Sequence, residues 1–290
     1  QLAAGGALHL LTGGDHTTGA GIQHAGAEIL AEGASLHQDP IRVVEHQNIA
    51  GAMAEILPPH LGSLGHANHG WLNSYHSFSF AGYYNPERIH FGALRVLNDD
   101  SVAAGMGFGT HPHDNMEIIS IPLSGDLKHK DSMGTEATIK QGDIQVMSAG
   151  TGISHSEMNA NKDKEVKFLQ IWVFPNRKNV QPRYGQITLD ESKMKNNLLQ
   201  VLSPNADDEG VWIHQDAWFS LGNLDKGFAT DYKLKGTNSG VYVFVLEGDV
   251  TINGEALNKR DGLGISEIDT LNITADTNAR LLLMEVPMLN

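Results

Sequence analysis

Two pairs of potential metal ligands, each pair separated by one residue, constrain the fold of this chain most strongly. His111 and His113 form the first pair, and His155 and Glu157 form the second. Because a β-strand points residues i and i+2 to the same face, each pair can hold one ion from a single strand. Imidazole is the commonest protein ligand for a borderline transition metal. Together the pairs predict a site of three histidines and one carboxylate, with room for a substrate or oxygen.

The sequence beyond residue 90 is typical of an all-β protein. Short runs rich in Ile, Val and Phe are separated by Gly, Asn and Asp turn residues. Regular spacing of such runs favours a sandwich or a barrel. One short helix is expected at most, over Leu189–Leu199. The predicted strands include Phe91–Leu97, Met116–Pro122, Gln145–Met147, Val166–Phe174, Gly240–Leu246 and Arg280–Val286.

Composition and charge narrow the class of protein. A chain of 290 residues is long enough for one large or two ordinary domains. Its formal net charge of −14, without a long basic run, argues against direct binding of nucleic acid, which needs clustered Lys and Arg. No apolar stretch reaches the ~18–20 residues that span a bilayer, so no membrane association is expected. The chain has no cysteine, so His, Asp and Glu would have to hold any metal.

The N-terminal segment differs in composition from the rest. Residues 1–70 contain no Phe, Trp, Tyr or Lys, and they hold more than half of the 15 histidines. Because aromatic anchors for a packed core are missing, residues 1–64 are predicted to form a weakly ordered extension. Short helices are expected around Ala25–Ala31 and Ile49–Ile56. Six irregularly spaced histidines are interpreted as surface residues, namely His9, His16, His24, His37, His46 and His60.

The first residues also bear on location. The chain starts with Gln1 rather than Met, which fits a processed or truncated end. No basic segment precedes the apolar residues there, as a secretory signal would require. The expected location is therefore the cytoplasm.

A faint internal repeat predicts two barrels of related design, joined near Pro175–Pro182. Leu123–Leu127 resembles Leu246–Val250, and each segment is followed by a second Gly that opens a strand, Gly142 or Gly262. Such glycines can supply the positive φ that a tight turn needs.

The second copy of the repeat lacks the ligand residues. At the offsets of the first histidine pair and the following glutamate, the second copy has Leu234, Gly236 and Gly240. No His and acid pair stands at the counterpart of His155 either. The second barrel is therefore predicted to be free of metal and to serve packing, closure of the pocket or an interface.

The spaced motifs resemble those of the cupins, and their departures resemble the pirin family. Gly105–Gly125 has the spacing G-x5-H-x-H-x3-E-x7-G and is similar to the first cupin motif, with one additional residue before the last Gly. Gly142–Asn159 is similar to the second motif, with Ser148 in place of the usual Pro and two additional residues before the His. The resemblance covers residues 65–290 and is closest to bacterial pirin-like quercetin 2,3-dioxygenases. Further supporting segments are Gly65–Trp71, His76–Phe80, Phe91–Asp100 and Met147–Glu157.

The resemblance implies a bicupin fold, an all-β arrangement of two antiparallel jelly-roll barrels. Residues 1–64 would precede a metal-binding barrel over 65–182 and a metal-free barrel over 183–290. One mononuclear metal is implied, and its implied ligands are His111, His113, His155 and Glu157.

Several other polar residues need an interpretation. Glu117 stands where other cupins place their carboxylate ligand, and it is assigned a supporting position beside the metal. Spacing alone does not choose between Glu117 and Glu157, because each shares a strand face with a histidine of its own motif. His129 and His214 lack partners of this kind and are assigned structural or surface roles. Asp99-Asp100 is interpreted as a turn, and Trp172 and Phe174 as core residues.

The function implied by the resemblance is oxidative cleavage of the flavonol quercetin, with O₂ as co-substrate and release of carbon monoxide. Glu157 would act as the base that takes the proton of the flavonol hydroxyl. Iron is the expected divalent metal, and Zn, Ni, Cu, Mn and Co fit the same donors. The main alternative is a non-catalytic, metal-binding regulator that acts through protein partners. A sugar isomerase of the cupin type is a third hypothesis. A deep apolar cleft at the metal would favour the flavonoid enzyme, a closed pocket the regulator, and a polar pocket the isomerase.

Overall fold

The computed structural model describes residues 65–289, whose regular secondary structure is β-strand except for one 3₁₀ turn. The predicted extension over residues 1–64, with its two short helices and six histidines, lies outside the described residues. The expected helix over Leu189–Leu199 is reduced to a 3₁₀ turn, Glu191–Met194, and a strand already begins at Leu198. Within residues 65–289, no helix is long and apolar enough to cross a membrane.

The first barrel consists of two antiparallel sheets. The larger has seven strands in the order β1-β2-β3-β10-β5-β8-β11, and the smaller has four in the order β4-β9-β6-β7. Two apolar clusters contain residues of both sheets, so the sheets pack face to face around a common interior. The strands are β1 Gly65–Asn68, β2 Leu72–His76, β3 Leu94–Val102, β4 Gly107–His113, β5 Glu117–Ser124, β6 Leu127–Asp131, β7 Glu136–Ile139, β8 Asp143–Ser148, β9 Ile153–Asn159, β10 Val166–Val173 and β11 Arg183–Thr188.

The second barrel repeats this plan with six and four strands. The larger sheet runs β13-β12-β14-β21-β16-β19, and the smaller runs β15-β20-β17-β18. Its strands are β12 Leu198–Ser203, β13 Val211–Trp212, β14 Trp218–Leu224, β15 Ala229–Lys233, β16 Ser239–Glu247, β17 Val250–Ile252, β18 Glu255–Leu257, β19 Gly262–Ser266, β20 Thr270–Ala275 and β21 Ala279–Pro287.

The two large sheets pack against each other through one extended core. β16 is buried on both faces because its alternate residues serve two cores. Val241 and Val243 point into the second barrel, whereas Tyr242 and Phe244 belong to the cluster shared with Ile171 of the first barrel. The strand therefore reads as a nearly continuous apolar run, which is the pattern expected when both faces are covered.

The internal repeat is confirmed in the strand pairing. β5 pairs with β8 around the β6–β7 hairpin, and β16 pairs with β19 around the β17–β18 hairpin. The repeated glycines have nearly the same backbone angle, with φ of 73° at Gly125 and 76° at Gly248. Two barrels of related design, as predicted, thus form the described chain. The division at residue 182 stays a prediction, and β11 beyond it pairs with β8 of the first barrel.

We expect Gly248→Ala to lower the free energy of unfolding by about 2–3 kcal/mol. The left-handed φ disfavours a Cβ, and that Cβ would also meet the carbonyl oxygen of Asn278. Gly254→Ala is the matched control, because φ is 91° there and no atom lies within 4 Å of the added Cβ. It should cost only about 1 kcal/mol in urea unfolding. Equal losses in the two variants would contradict the packing argument.

Candidate metal centre

Strands β4 and β9 bring the predicted histidines together. The antiparallel register places His111 directly opposite His155, and His113 two residues further on opposite Ile153. A bulge between Phe108 and His111 inserts one extra residue into β4. Without the bulge, Phe108 and His111 would point to opposite faces. With it, both lie on the side of the sheet that carries His155.

The three imidazoles converge on one point. Their ring centroids are 4.5 Å apart for His111 and His155, and 4.9 Å apart for each of the two other pairs. One ring nitrogen from each of the three lies within 4.8 Å of the others. Among residues 65–289, these three form the only such group of His, Asp or Glu. The predicted histidine part of the site is therefore assembled by the fold.

The ring nitrogens are left without protein partners. His155 is buried, and neither of its ring nitrogens has a hydrogen-bond partner; Nε2 of His113 lacks one as well. Nδ1 of His111 lies 2.7 Å from the carbonyl oxygen of Gly109 and must donate to it, which leaves Nε2 bare. Buried polar atoms without partners are rare in folded proteins. An ion bound by these nitrogens would satisfy them.

Burial also keeps the rings of His113 and His155 neutral. Loss of solvent, reinforced by the neighbouring histidines, lowers the pKa of His155 to about 2. Burial lowers the pKa of His113 to about 4 in the same way. Neutral imidazoles at pH 7 have a free lone pair for a metal. The donor set thus fits a divalent transition metal ion.

Glu157 lies in the barrel interior, next to the histidines but outside their group. Its carboxylate accepts hydrogen bonds from Oγ of Ser120, at 2.9 Å, and from Nε2 of Gln170. Burial raises the pKa of Glu157 to about 7, although both hydrogen bonds oppose the increase. Its role as a fourth ligand and as a base stays a prediction.

The expectation that Glu117 stands beside the metal is wrong. Its carboxylate accepts a hydrogen bond from Oγ of Ser148 at 2.7 Å and lies near Arg183, on the face of β5 opposite to Ile118. His113 and Glu117 do not share a strand face, because they lie on different strands. The chain turns between β4 and β5, where Asn115 has a φ of 43°. Burial raises the pKa of the Glu117 carboxyl to about 7.

His129 lies beside the site rather than on the surface. Its side chain is fully buried, its ring centroid is 5.4 Å from that of His155, and its Nε2 lies 3.0 Å from Oδ2 of Asp131. The signal in the sequence was His129-Lys-Asp131, which has the same i, i+2 spacing as the ligand pairs. His214 instead packs its ring on Trp212, with centroids 4.9 Å apart.

Asp99 and Asp100 do not form a turn, contrary to the interpretation of the sequence. Both lie within β3, and Asp100 is buried and accepts a hydrogen bond from Oγ of Ser74. On the neighbouring strand, Nδ1 of His76 is 2.9 Å from Oδ1 of Asn98. A row of paired polar residues thus crosses the large sheet, from His76 through Asn98 and Gln170 to Ser120. Its members Gln170 and Ser120 bind Glu157. Burial raises the pKa of Asp100 to about 7.

Apolar side chains lie beside the histidine cluster. The ring of Trp172 meets the His113 ring edge-on at 4.9 Å, and Phe80 packs on Trp172 at 5.4 Å. Ile118 and Met147 belong to the apolar cluster against which Trp172 packs. Trp172 was expected to be a core residue, and it also contacts the site. Phe174 packs against the apolar core between the two large sheets, as predicted for a core residue.

The second barrel has apolar residues where the first has ligands. Leu127 pairs with Asn159 in the first barrel, and Val250 pairs with Ala275 in the second, which relates the two registers. With Asn159 aligned to Ala275, Glu157 corresponds to Ile273 and His155 to Leu271. His111 is opposite His155 and Tyr232 is opposite Leu271, so His111 corresponds to Tyr232. All three side chains are buried in the apolar core of the second barrel.

Comparison with known protein families gives two matches, in separate segments of the chain. The family model named Pirin matches residues 60–173. The model described as the quercetinase C-terminal cupin domain matches residues 200–286. The two matches correspond to the two barrels of the structure.

Similar proteins and structures come from bacteria. A protein named quercetin 2,3-dioxygenase from Escherichia coli strain K12 is 43% identical over 223 residues, which are 77% of this chain and 95% of that protein. A protein named putative quercetin 2,3-dioxygenase from Pseudomonas aeruginosa is 42% identical, covering 77% of this chain and 96% of that protein. The crystal structure of the bacterial pirin YhhW from Escherichia coli in complex with nickel(II) is similar with a TM-score of 0.74. It is 41% identical and covers 78% of this chain and 96% of that chain.

We expect Asp100→Asn to change how stability depends on pH. In the unfolded chain the Asp100 carboxyl has its ordinary pKa of 3.8, whereas in the folded protein the pKa is about 7. Between these values the folded state binds the extra proton, so the contribution of Asp100 to stability falls as the pH rises. Relative to the wild type, the variant should therefore gain about 2 kcal/mol between pH 5 and pH 8. Urea unfolding at several pH values measures the difference, with the exposed Asp208→Asn as control. A difference that does not vary with pH would contradict the burial argument.

Proposed function

The chain belongs to the pirin family, and on that premise we propose that it is a metal-dependent dioxygenase that cleaves quercetin and releases carbon monoxide. The observation that carries the proposal is the convergence of three imidazoles, His111, His113 and His155, beside the buried carboxylate of Glu157. The names of the relatives from Escherichia coli and Pseudomonas aeruginosa support the substrate class.

The proposed ligands are His111, His113, His155 and Glu157, and iron is the first choice of metal. Zn, Ni, Cu, Mn and Co fit the same donors, so availability decides among them. The nickel(II) complex of the bacterial pirin supports a divalent ion. When bound, such an ion lowers the pKa of a hydroxyl that it coordinates and makes O₂ chemistry accessible.

Glu157 is proposed as the base that accepts the proton of the flavonol 3-hydroxyl on a carboxylate oxygen. The carboxyl of Glu157 is buried two residues from His155 on the same strand face, which suits a group that takes and returns a proton beside the metal. Ser120 and Gln170 hold the carboxylate in place. In the overall reaction, two carbon–carbon bonds of the central ring break and the carbon between them leaves as CO. Both atoms of O₂ enter the depside product. Glu157 then returns the proton to the carboxylate of that product.

The apolar surface beside the histidines suits a flat aromatic substrate. Trp172 meets the His113 ring edge-on and Phe80 packs on Trp172, while the buried Met147 and Ile118 pack behind Trp172. Aromatic substrates gain both buried area and ring-to-ring contacts from such surroundings. The proposed partners are a flavonoid and O₂, without direct binding of nucleic acid or membrane. A cytoplasmic location stays a prediction.

Glu157→Gln should retain part of the metal and lose turnover by at least about 100-fold, because a positioned general base contributes on that order. Glu117→Gln is the matched control, since Glu117 is also a buried glutamate bonded to a serine but faces away from the histidines. Its turnover should stay within about threefold of the wild type. Oxygen uptake with quercetin gives both values. Unchanged turnover in Glu157→Gln would remove Glu157 as the base.

His155→Ala should abolish stoichiometric metal binding, because it removes the buried central imidazole of the cluster. His214→Ala is the control, since His214 lies on Trp212 outside the cluster. Elemental analysis after anaerobic purification measures the metal content of both variants. Stoichiometric metal in His155→Ala would contradict the proposed ligand set. A wild type with full metal but no oxygen uptake would favour the regulatory alternative.

A further inference from the structure

A bound metal would satisfy only one of the two ring nitrogens of His155. Both of its ring nitrogens are buried without a hydrogen-bond partner. A neutral imidazole has one bare nitrogen and one N–H. The bare nitrogen can bind an ion, whereas the N–H needs an acceptor, and histidines that bind metals almost always have one.

His129 offers such an acceptor nearby. Nδ1 of His129 is buried and also lacks a partner, whereas Nε2 lies 3.0 Å from Oδ2 of Asp131. A protonated His129 would leave a buried N–H at Nδ1 unpaired, so the neutral ring is favoured.

Asp131 determines which nitrogen of His129 carries the proton. Its other oxygen, Oδ1, accepts hydrogen bonds from the backbone N–H groups of Met133 and Thr135, at 2.9 and 3.0 Å. Although burial raises the pKa of Asp131, the hydrogen bonds from His129 and Thr135 outweigh it, and the net pKa is lowered. An ionised carboxylate only accepts, so Nε2 of His129 must donate. Nδ1 of His129 is then the bare acceptor.

The strand register places the rings of His129 and His155 beside each other, without a hydrogen bond between them in this structure. In the pairing of β6 with β9, Asp131 is opposite His155, and His129 is opposite Glu157. The rings of His129 and His155 are 5.4 Å apart between centroids and inclined by 47°. A hydrogen bond between two imidazoles requires a centroid separation of about 5 Å, given a donor–acceptor distance near 2.9 Å. The ring of Tyr184 packs on His129 at 4.8 Å and supports it.

We propose that His129 is a positioning residue, which accepts a hydrogen bond from the N–H of His155 while Asp131 keeps the acceptor nitrogen of His129 bare. The chain of groups runs from the Asp131 carboxylate through His129 to His155 and the metal. It would fix the tautomer and orientation of His155 and make its ligating nitrogen more basic. The inference rests on the proposed function, because it deepens the proposed metal site.

Asp131→Asn tests this chain with almost no change of shape. The amide oxygen can still accept from Met133 and Thr135, but the amide nitrogen would donate to Nε2 of His129. The proton of His129 would then move to Nδ1, and two N–H groups would face each other at His155. We expect the dissociation constant for Zn²⁺, measured by chelator competition, to rise 10–100-fold. Nitrogen-15 NMR of the metal-free protein should show the proton of His129 on Nε2 in the wild type and on Nδ1 in the variant.

Two further variants separate positioning from a general loss of structure. Asp143→Asn changes another buried carboxylate of the same barrel, which accepts from Lys140, Gln186 and Thr188 but from no histidine. Its dissociation constant for Zn²⁺ should stay within about threefold of the wild type. His129→Phe removes the acceptor and keeps a ring, so it should weaken Zn²⁺ binding like Asp131→Asn. The double variant Asp131→Asn/His129→Phe should lose no more than either single variant, because Asp131 acts through His129.

The outcomes distinguish this inference from the proposed function. Wild-type affinity for Zn²⁺ in Asp131→Asn, or a proton on Nδ1 of His129 in the wild type, would overturn the inference even if the wild type consumed oxygen with quercetin. Additive losses in the double variant would also overturn it. A wild type that consumes no oxygen, but whose Zn²⁺ affinity falls as described in Asp131→Asn, would contradict the proposed activity alone.

Discussion

The antiparallel pairing of β4 with β9 is the interaction on which the candidate centre depends. It places His111 opposite His155, and the bulge after Phe108 sets the parity that turns both histidine-bearing segments toward the barrel interior. A register shifted by one residue would move His155 to the other face and separate the three imidazoles. The rest of the first barrel supports this pairing, because β9 lies between β4 and β6 and the small sheet packs on the large one.

Burial gives the centre its chemical character. The interior of the first barrel contains a level of polar residues between two apolar clusters, and several of them are paired, such as His76 with Asn98 and Ser120 with Glu157. The exceptions include both nitrogens of His155, Nε2 of His113 and Nδ1 of His129. Because unpaired polar atoms in such surroundings are costly, their concentration at one place indicates a ligand-binding function rather than a structural one. At the corresponding positions the second barrel has Leu271 and Ile273, whose side chains have no polar atoms.

The sequence predicted those features that depend on neighbouring residues. The strand positions, the turn glycines and the pairs at i and i+2 follow from local spacing, so the all-β fold, the two barrels and the histidines to be brought together could be anticipated. Features that depend on pairing between distant strands were missed. His129 reaches the site only through the pairing of β6 with β9. Glu117 was placed beside the metal from its position in the first cupin motif, but its parity with His113 does not carry across the turn at Asn115. Asp100 was interpreted as a turn although it lies within a buried strand.

We propose that the histidine cluster binds one metal ion that supports oxidative cleavage of a flavonol. The most direct measurement is oxygen uptake and carbon monoxide release with quercetin, made on anaerobically purified protein whose metal content is known from elemental analysis. We expect one divalent ion per chain. One CO should be released for each O₂ consumed, at a rate proportional to the metal content. A protein with one ion per chain that consumes no oxygen in the presence of quercetin would contradict it.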